Sequence, residues 1–394
     1  MQGGGALGSY QAGVYEALAE AAAEPDWVAG VSIGAINASI IAGNPPERRV
    51  EQLRRFWSRI TAPTAAFTPL QLSGLGLPRL EAWAAGLGQT LGTAGAVLFG
   101  QPGFFRPRSP LEWLAPTPTV SFYDQAELKS TLEELVDFDR IAAGVTRLSV
   151  GAVHVETGNL IYFDNVQMRG ERRRLGPEHV MASGALPPGL PAVEIEGEFY
   201  WDGGIVSNTP LQFVLAERPR QPSLVFQVDL FPARGKRPEN LDEVGERDKD
   251  IRYSSRTRTG TNDAAENQNI RRQLRQFLDR LPPELARDPV AGRLREYACG
   301  ALIDVVQLIY RPERPQGAQK DLHFDRGTMK RRWAQGLHDA RRSLEVAPWR
   351  EPAPPDAGFR SFDVFAPPPA AAPLRAQHAA GDGQGATRGA DRAA

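Results

Sequence analysis

Gly30-Val31-Ser32-Ile33-Gly34 is the stretch on which the fold turns. Before it, Asp26-Trp27-Val28-Ala29-Gly30-Val31 reads as a short buried strand running into a turn. After it, residues 35–42 read as a helix of small residues stopped at Gly43 and Pro45. A chain that passes sharply from strand to helix through a serine needs small flanking residues, and it aims the helix N-terminus at the hydroxyl. The same pentapeptide also occurs as a plain turn, so its weight comes from this setting and from what stands upstream. There, Gly3-Gly4-Gly5-Ala6-Leu7-Gly8 opens a helix read over residues 9–21, with Val14 and Leu18 at helical spacing. Glycines let the backbone turn tightly and present N–H groups at the positive helix end, an arrangement that holds a phosphate or a developing oxyanion. Gly3-x-Gly5-x-x-Gly8 also fits a dinucleotide fingerprint, which requires a preceding strand. A third pattern, Asp202-Gly203-Gly204, follows the strand candidate Glu198-Phe199-Tyr200-Trp201. It sets a carboxylate at a strand end, facing a cleft as a base or serving only as a turn aspartate.

In order and spacing these patterns resemble the patatin-like phospholipase family. The likeness runs through the glycine loop, the elbow at Ser32, Ala182-Ser183-x-x-x-Pro187 and Asp202-Gly203-Gly204-x-x-x-Asn208-Thr209-Pro210, and covers about residues 1–230. It implies an α/β fold, a three-layer α/β/α sandwich with a mainly parallel central sheet. It implies a Ser32–Asp202 dyad without histidine, in which Asp202 takes the proton as Ser32 attacks an ester carbonyl. The oxyanion hole falls on Gly3, Gly4, Gly5, Ala6 and Gly8, with Gly30, Gly34, Gly203 and Gly204 supporting the elbow and the aspartate. No metal and no organic cofactor are implied, and the substrate is a lipid or other acyl ester. The five histidines, His154, His179, His323, His338 and His378, sit in no triad motif, and His179 lies nearest the Ala182 motif. Leu7 stands where many relatives carry Arg or Lys, so a charge at the rim of the hole is expected to be missing. The family also has a strand before the glycine loop. Met1 falls where that strand should end, so the first strand is expected to be missing from this sequence and encoded upstream. The leading reading is a serine lipid acyl hydrolase; the alternative is a catalytically weak module of the same fold that binds acyl lipid or associates with a membrane.

The 394 residues are 41% hydrophobic and 24% charged, which excludes a disordered or fibrous chain. Lys+Arg 46 against Asp+Glu 47 leaves a net charge of -1, with no basic excess for nucleic acid. The single cysteine, Cys299, excludes an internal disulfide framework and a Cys-based zinc site and fits a reducing compartment; the expected location is cytoplasmic, with peripheral contact at a membrane as the other expectation. Met1-Gln2-Gly3-Gly4-Gly5 has no secretory pattern. Residues 61–105 carry only Arg79 and Glu81 as charges and read as an apolar cap over the cleft, bordered by Phe105, Leu111 and Trp113. Within them, residues 82–100 have the length of a membrane span, but five glycines favour a cap segment. The expected organisation is a catalytic domain over 1–230 with the cap at 61–120, a C-terminal extension over 231–350 packed on it, and a largely disordered Pro/Ala/Gly-rich tail over 351–394. In the extension, Ile270, Leu274, Phe277 and Leu281 predict an amphipathic helix. Val305 to Tyr310 predicts a strand, and Met329, Trp333, Leu337, Ala340 and Leu344 predict a last helix whose Arg331, Arg332, Arg341 and Arg342 form a solvated face.

Overall fold

A computed structural model of the chain describes residues 1–62, 100–109, 112, 120–166, 174–217 and 220–366, without the side chains of 255–258. Most of the predicted apolar cap, with Leu111 and Trp113, and the tail from 367 onward lie outside the described residues. Among the described residues, no helix is long and apolar enough to cross a membrane.

A single 3-10 turn, Gly5–Gly8, leads into α1 (Ser9–Glu20). β1 (Trp27–Val31), α2 (Ile33–Ala42) and α3 (Pro46–Ile60) follow. Every residue of α2 is buried, which explains its run of small and β-branched side chains: it is enclosed on all sides. α3 is amphipathic and buries Leu53, Phe56, Trp57 and Ile60. β2 (Arg106–Pro107) and β3 (Tyr123–Asp124) form a small antiparallel pair, followed by α4 (Ala126–Leu135) and α5 (Phe138–Ala142).

The central sheet is built on β4 (Arg147–His154). One edge of β4 takes β5 (Leu160–Asp164) antiparallel. The other edge takes two strands end to end. β1 lies parallel against Arg147 to Gly151, and β7 (Glu198–Asp202) lies antiparallel against Ala152 to His154. β6 (Val193–Ile195) pairs antiparallel with β7, and α6 (Pro177–Ser183) precedes it. The sheet is therefore mixed, where a mainly parallel one was expected. Parallel neighbours need a long crossover, whereas β4–β5 and β6–β7 are joined by the short turns at 155–159 and Glu196-Gly197. Glu196 and Gly197 both have positive φ, 56° and 88°, as a tight hairpin requires.

After α7 (Leu211–Ala216), β8 (Ser223–Asp229) enters a second, wholly parallel sheet with β9 (Ile303–Ile309) and β10 (Phe359–Phe362). Residues 1–3 lie between the two sheets. The Met1 amino group donates to Ala29 O (2.8 Å), Val31 N donates to Met1 O (3.3 Å), and Gln2 N donates to Val228 O (3.1 Å). The segment thus pairs with β1 on one side and β8 on the other. Beside it a cavity of about 730 Å³ separates the rest of the two strands, roofed and floored by Val14 and Leu18 of α1 and by Leu211 and Val214 of α7.

The extension contains α8 (Leu241–Leu278), α9 (Pro283–Ala286), α10 (Pro289–Tyr297) and α11 (Arg326–Val346). α8 is far longer than the amphipathic segment predicted, and Ile270 and Phe277 on that segment are exposed. The first turn of α8 is capped by Asn240, whose side chain accepts from Glu243 N. Tyr310, Phe324, Met329, Trp333 and Ala340 belong to the same buried cluster as α1 and α2. α11 crosses α1 closely enough that a Cβ on Gly13 would lie 2.0 Å from Trp333 O, and one on Gly336 would lie 2.0 Å from Tyr10 O. Arg332, predicted on a solvated face, is instead buried, because its guanidinium donates to Lys320 O and Gln316 Oε1.

Candidate active site

Ser32 sits where β1 ends and α2 begins, with φ 55° and ψ −128°. A side chain in this region costs about 1–3 kcal/mol and persists only where the surroundings enforce it. Here they do. A Cβ at Gly30 would fall 2.2 Å from Gly34 O, and one at Gly34 would fall 2.5 Å from Met1 O, so strand, turn and helix pack with no room for side chains. Ala35 N and Ile36 N both donate to Ser32 O, starting the helix. Ser32 N donates to Ser183 Oγ (2.9 Å), and the Ser183 hydroxyl donates to Gly151 O (2.6 Å). The buried Ser183 at the end of α6 thereby ties the elbow to β4.

The register along β4 brings Asp202 to the same place. β1 ends with Val31 opposite Gly151, and β7, running the other way, ends with Asp202 opposite Ala152. Two strands aimed at each other along one edge thus bring Ser32 and Asp202 together. Asp202 is only 3% exposed. Its Oδ1 accepts from Gly204 N (2.7 Å), the bond that the two glycines after it make possible. Burial pushes its carboxyl up to about 6, against the opposing pull of hydrogen bonds from the Ser32 side chain and the Gly204 amide.

The glycine loop lies beside this pair: a Cβ on Gly3 would be 3.0 Å from Ser32 Cβ. Asn208 clamps it, its Nδ2 donating to Gly3 O (2.8 Å) while Gly3 N donates to Asn208 O (3.1 Å). Gly5 has φ +54°, which a glycine adopts without strain. Among the described residues, the amides of Gly4, Gly5 and Ala6 have no hydrogen-bond acceptor. They head the 3-10 turn that leads into α1, and as unpaired donors at its N-terminal end they suit a negatively charged oxygen. Gly8 is held from behind, its carbonyl accepting from Asn37 Nδ2 (2.9 Å). Leu7, expected at the rim of the hole, is completely buried, so a cation there would stand unpaired in the core.

Four contributors come from parts of the chain that no motif marks. Leu230 and Phe231 cover Gly4, whose Cβ would meet them at 2.9 and 3.1 Å. The Asp321 carbonyl covers Gly5, whose Cβ would lie 2.4 Å from it. Tyr253 of α8 packs on Phe231 with ring centres 4.7 Å apart. Its phenol is pushed up by burial first, then by the charges of Asp321 and Asp202. His179 is turned elsewhere: its Nδ1 accepts from Gly176 N (3.0 Å) and its ring meets Phe163 edge-on at 4.7 Å. Among the described residues, no group of His, Cys, Asp and Glu is gathered as a metal site.

A family model described as patatin-like phospholipase matches residues 1–215, and a second, described as patatin phospholipase, matches residues 251–356. Among solved structures, VipD from Legionella pneumophila is similar with a TM-score of 0.36 and 15% identity, over 87% of this chain. This chain covers 66% of the VipD chain, short of its full length. No curated protein matches.

Proposed function

Because the chain belongs to the patatin-like phospholipase family, we propose that it is a serine lipid acyl hydrolase in which Ser32 is the nucleophile and Asp202 its base. The observation that carries this reading is the buried carboxylate of Asp202, which the register along β4 brings to the end of β1 where Ser32 stands; burial pushes its pKa up to about 6. Such a group is ionised at neutral pH yet basic enough to accept a proton from a reacting hydroxyl. As Ser32 Oγ bonds to the ester carbonyl carbon, its proton passes to Asp202 and the carbonyl oxygen takes up negative charge. The amides of Gly4, Gly5 and Ala6 meet that charge, and losing one such donor costs about 3 kcal/mol in the barrier. Collapse of the intermediate breaks the bond to the alcohol, which leaves with the proton from Asp202. Water then gives a proton to Asp202 and attacks the acyl-serine, and the fatty acid departs as Ser32 regains its proton. The alternative, a catalytically weak lipid-binding module of the same fold, instead predicts little or no fatty-acid release by wild type.

The test is product analysis on a mixed phospholipid extract and turnover of a soluble acyl ester, with wild type, Ser32→Ala and Asp202→Asn compared. Free fatty acid from wild type alone supports the reading. Turnover retained in folded Ser32→Ala overturns it.

A further inference from the structure

Lys320 is a lysine with no exposed surface. Its Nζ donates to Glu246 Oε1 (3.1 Å) and Asp250 Oδ1 (2.5 Å), carboxylates one turn apart on α8. The other oxygen of Glu246 accepts from Gln316 N (2.9 Å) and Gly317 N (2.8 Å). Arg332 of α11 donates to Lys320 O (2.7 Å), and Lys249 bridges to the Asp321 carboxylate (2.7 Å). Together these contacts hold the backbone from Gln316 to Asp321, including the start of the turn Lys320–Leu322. That turn puts the Asp321 carbonyl over Gly5, and the Lys320 ammonium lies 5.7 Å from the centre of the Phe231 ring that covers Gly4.

We infer that Lys320 is a positioning residue for the glycine loop: through Glu246 and Asp250 it anchors the turn whose Asp321 carbonyl packs on Gly5, and its ammonium faces the Phe231 ring that covers Gly4. The inference rests on the reading of those amides as an oxyanion hole. Burying a cation and two carboxylates is costly, and apolar side chains of similar size commonly stabilise a fold at least as well. What the ionic cluster supplies instead is direction, since each hydrogen bond fixes a distance and an angle. Oxyanion donors need that accuracy: a displacement of about 1 Å can cost roughly 100-fold in rate. The extension is thereby a working part of the site.

The test uses the full chain. Lys320→Met combined with Glu246→Gln and Asp250→Asn removes all three charges together, so none is left buried alone. Lys320→Arg keeps the cation, and Lys249→Met removes only the half-exposed bridge to Asp321. Readouts are kcat and KM on a soluble p-nitrophenyl ester, the rate at which a fluorophosphonate labels Ser32, and the thermal midpoint. The triple variant is expected to lose about tenfold or more in kcat and in labelling rate, with KM within about twofold, and Lys320→Arg to recover a measurable part of the loss. A folded triple variant with wild-type kcat overturns the inference. If the triple variant does not fold, Lys249→Met decides: a kcat lowered about threefold at unchanged KM supports the inference, and unchanged kcat overturns it. Wild type that neither turns over ester nor takes the label at Ser32 refutes the hydrolase reading, and the inference with it. An active, labelled wild type beside an equally active triple variant refutes the inference alone.

Discussion

Asp202 destabilises the fold it serves. Its carboxyl ordinarily titrates near 3.8 and is raised to about 6 here, so the folded state holds the proton more tightly than the unfolded chain does. Stability from this residue is therefore full below about pH 4, falls as pH rises toward 6, and stays reduced above; a shift of about two units corresponds to roughly 3 kcal/mol. Asp202→Asn is expected to abolish turnover yet to be more stable than wild type at pH 7.5, by up to about 3 kcal/mol, with no gain at pH 4. Urea unfolding at the two pH values measures both differences. The same titration predicts that kcat/KM of wild type climbs about tenfold per pH unit on the acid side and levels above about pH 6. Ser32, Asp202 and the glycine loop were legible because small residues at fixed spacing leave a local trace. Ser183 and Asn208 stood in recognisable motifs, but their work, one tying the elbow to β4 and the other clamping Gly3, became visible only with their partners in place. Tyr253 and Asp321 left no trace, since each reaches the site through contacts distant in sequence.

Periodicity disclosed most of the individual strands and helices but not how they meet. The apolar positions Met329, Trp333 and Ala340 mark the inner face of α11, and all three are buried. Gly336 lies on that face too, and nothing in the spacing shows that it touches backbone. Because its Cβ would lie 2.0 Å from Tyr10 O, Gly336→Ala must push α11 away from α1. A loss of about 1–3 kcal/mol is expected, typical of overpacking a tight contact, and denaturant melts would measure it. Strand direction was equally hidden. Alternation of apolar residues is the same in parallel and antiparallel pairs, and the mixed character of the sheet follows from turn lengths.

For the whole molecule, the two family matches end and begin on either side of β8, yet the structure does not divide there. β8 pairs with β9 along its full length, and Trp333 and Tyr310 share a core with α1 and α2. A chain ending at residue 230 would leave a β8 edge unpaired and apolar faces uncovered. It is expected to be insoluble or unfolded, which circular dichroism and gel filtration of the shortened and full chains would show. The seating of Met1 and Gln2 between β1 and β8 has a different consequence, one of isotope exchange. Val31 N donates to Met1 O and Gln2 N donates to Val228 O, so both amides are held in strand-like pairing between the two sheets. In deuterated buffer they should therefore exchange on the slow timescale of Gly30 and Val225, which face β4 and β9, and well behind the amides of the exposed turn at 155–159.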